Sequence, residues 1–167
     1  YLFKEFDFNV KEIGYYAWFP YVGAMIGSLT GGWYAQKLIK THTIDYSRKK
    51  TIAIGAIIIV LSILGAIFFA DTPVKFVSFV FVVLFGFQFS ISNIQTIPSD
   101  LLSGKSVGTL AGLGGSIGAV SVIIMNWLIP IITTESYTPA FIILAILAPL
   151  AVLSVYVLIK EIKPIDI

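Results

Sequence analysis

The sequence predicts an all-α membrane protein. Of its 167 residues, 57% are hydrophobic and only 12% charged, with a mean hydropathy of +0.95. Soluble domains carry about 25% charged residues, so a soluble core is the wrong class. The apolar residues fall into five runs, each near the ~20 residues needed to cross a ~30 Å hydrocarbon layer as a helix. The basic residues gather in short stretches between the runs, which is how membrane proteins set their orientation.

The runs are expected at about 13–38, 51–70, 76–97, 107–132 and 139–159. The first follows a polar opening and carries aromatic residues at its start, Tyr15, Tyr16, Trp18, Phe19 and Tyr21, suited to the bilayer interface. Further along, Gly23, Gly27 and Gly31 recur every four residues. Such a stripe lets helix backbones approach closely. The second run is apolar all round, with Ser62 its interior polar residue, and reads as a lipid-facing support.

The third run is different. Gln88, Ser92, Asn93, Gln95 and Thr96 stand where lipid favours Leu or Val. Uncharged polar groups in a hydrophobic helix are expensive unless they face protein or water. At about 100° per residue, Gln88, Ser92 and Gln95 share a narrow arc that Ser99 continues, while Asn93 is displaced from it. Amides and hydroxyls on one face match a polyhydroxylated solute without a charge penalty. The competing reading is an interhelical hydrogen-bond seam. The run is expected to break at Pro98, Ser99 and Asp100 and to turn through Ser103, Gly104 and Lys105.

The fourth run re-enters on Gly108, Gly112, Gly114, Gly115 and Gly118. Gly108, Gly112 and Gly115 are expected, with Gly23 and Gly27, to act in packing or gating, and Ser116 to face the polar stripe across a cavity. The fifth run has Pro149 as a candidate kink. For five spans, the basic residues divide as Lys37, Lys40, Arg48, Lys49, Lys50, Lys105, Lys160 and Lys163 on one side, against Lys4, Lys11 and Lys75 on the other. The positive-inside rule puts the loop at 39–50 and the C-terminus in the cytoplasm. The chain then starts outside, on Tyr1 rather than Met, and is expected to be part of a longer protein whose N-terminal half is missing.

The nine acidic residues fall in loops or at span ends, so no carboxylate is expected near the bilayer midplane, where a proton relay would need one. Any coupling group is expected in the missing half. There is no cysteine and a single histidine, His42, so neither thiolate nor histidine-cluster metal chemistry is expected. No catalytic set of paired carboxylates or Ser/His/Asp is apparent. The chain is not expected to be an enzyme, to need a cofactor or metal, or to bind nucleic acid.

Gly31 and Gly32, then Lys37 and Lys40, then Arg48, Lys49 and Lys50 form a pattern that resembles the loop after the second helix of each half of the major facilitator superfamily. Gln36 occupies the place where that loop commonly has Asp. On this resemblance the chain covers helices eight to twelve of a twelve-helix fold, with residues 1–3 as the end of helix seven: a C-terminal bundle. Glu12, Ile13 and Gly14, leading to Ala17, Trp18, Phe19 and Pro20, are similar to the eighth helix of the anion:cation symporter branch. The stretch from Asn93 through Gln95, Pro98 and Asp100 to Leu101 is similar to its tenth-helix end. Val107 and Gly108 through Gly115 resemble the eleventh helix of hexuronate-type members, and Ser136 through Pro139 to Phe141 the entry to the twelfth.

The resemblance implies a secondary transporter for a sugar acid, a hexuronate such as glucuronate or galacturonate, coupled to protons across a bacterial inner membrane. Its partners would be the organic anion, protons, the lipid bilayer and the missing N-terminal half. The candidate solute contacts are Gln88, Ser92, Asn93, Gln95 and Ser116. Two alternatives stand beside it: the same fold carrying another anion such as an aldonate or aromatic acid, and a membrane scaffold or sensor that transports nothing.

Overall fold

A computed structural model of the chain describes residue 6, residues 8–134 and residues 136–165. The expected helix end at 1–3, Lys4 of the orientation count, and the acidic Glu5, Asp7, Glu135 and Asp166 lie outside the described residues. The fold is all-helical: α1 (Val10–Ala17), α2 (Phe19–Ile39), α3 (Ile44–Phe69), α4 (Pro73–Leu101), α5 (Lys105–Ile132) and α6 (Thr138–Leu158).

The expected first span is divided into α1 and α2. Pro20 explains the break: it lacks the amide that would bond back to residue 16, and its ring crowds that carbonyl. A reciprocal capping box starts α1, with Asn9 Oδ1 accepting from the Glu12 amide and Glu12 Oε2 accepting from the Asn9 amide. Thr43 Oγ1 accepts from the Tyr46 amide at 3.2 Å and starts α3. Helix therefore reaches back into the expected basic loop, and Arg48, Lys49 and Lys50 sit on its first turns. At the other end, α4 does not break at Pro98 but runs through it to Leu101. One proline removes one backbone bond, and the last turn is tied from outside by Arg48, as described below. The chain reverses instead at Gly104, whose φ of +60° is open to glycine.

Among the described residues four helices, α3, α4, α5 from Ser106 and α6, are long and apolar enough to cross a membrane. With 21 residues α2 has the length, but its glycines, Ser28, Thr30 and aromatic hydroxyls dilute its hydropathy and it is not among the four.

α4 is the central element. On one side Gly23, Gly27 and Gly31 of α2 are buried against it. Added β-carbons at Gly23 and Gly27 would collide with the Phe81 and Phe85 carbonyls, and one at Gly31 would lie 2.6 Å from the Phe89 carbonyl. On the other side Gly55 of α3 meets Gly86 of α4, where a β-carbon on Gly55 would come within 2.6 Å of the Gly86 carbonyl. Ser90 Oγ donates across this seam to the Ile52 carbonyl at 2.9 Å. Ile52, Ala56, Ile59 and Ile63 are buried, so α3 is a core helix on one face and not the wholly lipid-facing support its composition implies. Its uniform apolarity conceals which face is buried. α6 packs along α3, and Ile52, Ile97, Val155 and Ile162 form one apolar cluster at the end of the bundle where the tail folds back.

Candidate functional site

The third expected span becomes α4, and its polar residues divide between two faces. Gly86, Ser90, Asn93 and Ile97 are buried in the packed seam. Gln88, Ser92 and Gln95 lie on the opposite side, Gln95 exposed and the other two half-buried. Ser92 Oγ returns a hydrogen bond to the Gln88 carbonyl at 2.8 Å, and Ser99 Oγ one to the Thr96 carbonyl at 2.7 Å. Their donors are satisfied on the helix while a lone pair of each stays available. The amides of Gln88 and Gln95 have no hydrogen-bond partner among the described residues. That stripe carries two unspent donor–acceptor amides and hydroxyl acceptors on one face of α4.

Asn93 does not join it. It is 1% exposed, its Nδ2 donates to the Phe89 carbonyl at 3.0 Å, and its Oδ1 accepts from Arg48 Nη1 at 3.0 Å. Five residues past Gln88 it has turned about 500°, which carries it into the seam. Its expected place on a solute-facing surface is corrected to one within the protein. Ser116 lies mid-way along α5, exposed, with Oγ on the Gly112 carbonyl at 2.9 Å. No hydrogen bond joins it to the α4 stripe among the described residues.

The close packing expected at Gly108, Gly112 and Gly115 is not made: a β-carbon there meets nothing within 4 Å. The glycine spacing fits a close partner, but no described helix lies against that face.

A polar network at the tail end of the bundle was hidden in the sequence. Arg48 holds Asp100 through Nε at 2.8 Å and Nη2 at 3.3 Å, while Nη1 holds Asn93. Its planar fork is spent on both partners at once. Next to it Lys49 Nζ pairs with Asp45 at 2.7 Å and donates to the Lys160 carbonyl at 3.0 Å. Asp45 Oδ1 also accepts from the Ile162 amide at 2.9 Å, and the Leu101 carbonyl accepts from the Ile165 amide at 2.8 Å. The residues after α6 are thereby tied to α3 and α4. The signal was present in helical phase: Arg48 and Lys50 lie about 200° apart, so a basic run on a helix divides between inside and outside.

Among the described residues no group of three or more metal-ligating side chains occurs. Outside the spans, the Lys75 ammonium holds the Asp71 carboxyl below the usual aspartate range, and the Glu161 carboxylate raises the Lys163 ammonium above its usual value.

Packed helices joined through glycine seams, four of them able to span, define a multi-pass membrane bundle with a polar stripe on its central helix. The profile of the Major Facilitator Superfamily matches residues 1–166. The chain belongs to that superfamily. It is 26% identical over 176 residues to a hexuronate transporter of Escherichia coli (strain K12), covering 100% of this chain and 39% of that protein. It is 25% identical over 168 residues to a D-galactonate transporter of Escherichia coli O6:H1, covering 98% of this chain and 38% of that protein. A 63-residue stretch is 36% identical to a galacturonate transporter of Dickeya chrysanthemi, covering 36% of this chain and 18% of that protein. The chain thus spans about two-fifths of the length of these hexuronate and D-galactonate transporters.

Proposed function

We propose that this chain is the C-terminal bundle of a secondary transporter that moves a hexuronate, such as glucuronate or galacturonate, together with protons. The observation that carries the reading is the polar stripe on α4, where the side-chain amides of Gln88 and Gln95 remain unspent beside Ser92 among the described residues. Amides offer a donor and an acceptor each, and a sugar ring offers both in return. Alternating access would come from this bundle rocking against the rest of the protein around a midplane site. Gly108, Gly112 and Gly115 would supply the close surface for that movement, and Ser116 a further solute contact. The substrate class rests on the relatives, two of which are named for hexuronate and galacturonate. In this reading the protein sits in a bacterial inner membrane, with residues 39–50 and the C-terminus in the cytoplasm.

The D-galactonate transporter among the relatives supports a second reading, an aldonate carried by the same fold. Full-length protein in proteoliposomes separates the two. Proton entry driven by glucuronate, and not by galactonate or glucose, is the expected result. Entry with galactonate alone favours the second reading. Gln95→Leu is expected to reduce uptake at least tenfold while the protein stays folded. Unchanged uptake in that variant removes the stripe from the pathway.

A further inference from the structure

A shallow apolar groove of about 420 Å³ runs between α3 and α6, walled by Ala53, Ile57, Val60 and Leu61 on one side and by Pro149 and Val152 on the other. Lys50 stands three residues before Ala53 and seven before Ile57, on the same stripe of α3. Its Nζ donates to the Tyr46 hydroxyl at 3.0 Å and lies 5.1 Å from that ring's centroid. On the opposite wall, exposed Lys160 follows α6. The bond from Lys49 Nζ to the Lys160 carbonyl brings Lys160 to the same end of the groove as Lys50.

The nearby carboxylates are already engaged. Asp45 pairs with Lys49, and Glu161 with Lys163 at 2.8 Å. Lys50 and Lys160 therefore have no carboxylate within 4 Å among the described residues. Tyr46 and Tyr156, both exposed, stand at this end as well, and Tyr156 lies under Lys49 at 5.5 Å. Tyrosines with an apolar body and a polar tip mark the depth of lipid headgroups.

We propose that this groove seats an anionic phospholipid, with an acyl chain along Ala53, Ile57 and Val152 and the phosphate between Lys50 and Lys160. The apolar walls suit a hydrocarbon tail, and two ammonium groups with no carboxylate partner among the described residues suit a headgroup carrying net negative charge. A zwitterionic headgroup brings its own ammonium to two others and gains less.

The test uses the purified full-length protein in detergent, offered phosphatidylglycerol or phosphatidylcholine with identical acyl chains, with retained lipid counted by native mass spectrometry. Phosphatidylglycerol is expected to be retained roughly tenfold better. The double variant Lys50→Gln/Lys160→Gln should bring the two lipids within about twofold of each other. Lys160→Gln alone, placed after the helix where folding does not depend on its side chain, should lose part of the preference. Ala53→Trp, which fills the groove without changing charge, should lower retention of both lipids, and Lys40→Gln should change nothing. Equal retention of the two lipids overturns the proposal, as does a preference that survives the double variant. Undiminished retention in Ala53→Trp places the lipid elsewhere. Competition by glycerol phosphate as effective as that of the lipid reduces the site to a headgroup patch with no seat for a chain.

Discussion

α2 and α5 carry the same sequence signal and meet opposite fates. Both have glycines at four-residue spacing, and both were expected to pack closely. In α2 every glycine of the stripe presses on an α4 carbonyl, whereas in α5 each faces open space. The difference lies in the partner. Phe81, Phe85 and Phe89 follow one another at the same spacing of four, so α4 presents three backbone positions in register with Gly23, Gly27 and Gly31. Small-residue spacing describes what a helix face permits. Whether anything comes to it depends on a second sequence elsewhere.

The largest expected effect comes from enlarging one glycine on each helix. Gly27→Leu should destabilise the protein by about 3 kcal/mol, because the added side chain has to displace backbone. Gly112→Leu should change stability by under about 1 kcal/mol. Both are read from thermal unfolding of the full-length protein by circular dichroism, and equal losses would erase the contrast. A Gly112→Leu variant that stays stable yet transports poorly would sharpen it, since α5 would then serve a surface that matters only during turnover.

Next in size is the ion pair that ties α3 to α4. Arg48 and Asp100 are 12% and 15% exposed at the side chain, so Arg48→Gln leaves a poorly solvated carboxylate and should cost about 2 kcal/mol, less than breaking a fully buried pair. Arg48→Lys should rescue little, because an ammonium cannot hold Asp100 and Asn93 in one plane. Adding Asp100→Asn to Arg48→Gln should recover part of the loss. Smaller still is Ser90→Ala, at about 0.6 kcal/mol, typical of one interhelical hydrogen bond in a membrane bundle.

The smallest effect belongs to the exposed pair of Asp71 and Lys75, 2.9 Å apart in the hydrogen bond. Asp71 titrates below the usual aspartate value in the folded protein. Its contribution is therefore complete above that usual value and disappears as pH falls through the lower folded one. Asp71→Asn should shift the unfolding midpoint at pH 7 by no more than ~1 °C, and the difference should vanish in strong acid.

Most of the fold was legible because hydropathy and length alone delimit helices in lipid. The misplaced ends have local physical causes. Pro20 divides the first span, Thr43 starts α3 earlier than the charges imply, and the grip of Arg48 on Asp100 accompanies helix beyond Pro98. The polar stripe was legible in part: helical phase groups Gln88, Ser92 and Gln95, and the same phase moves Asn93 away from them. Burial was less readable. A uniformly apolar helix such as α3 gives no sign of its inner face, and the meeting of Gly55 with Gly86 depends on two segments thirty-one residues apart. The network of Arg48, Asp100 and the residues after α6 was hidden for the same reason, since charges counted by loop carry no direction.

The backbone contact between α2 and α4 also bears on how the protein is made. α2 is not among the helices apolar enough to span by composition, and what holds it is α4. About sixty residues separate the end of α2 from the end of α4. At synthesis rates of ~5–20 residues per second, α2 is complete for roughly 3–12 s before its partner is. During that interval a weakly hydrophobic segment with a bare glycine face must be kept from slipping out of the membrane or pairing wrongly. A slowed ribosome between α3 and α4 would lengthen the time for which the glycine face of α2 stays uncovered.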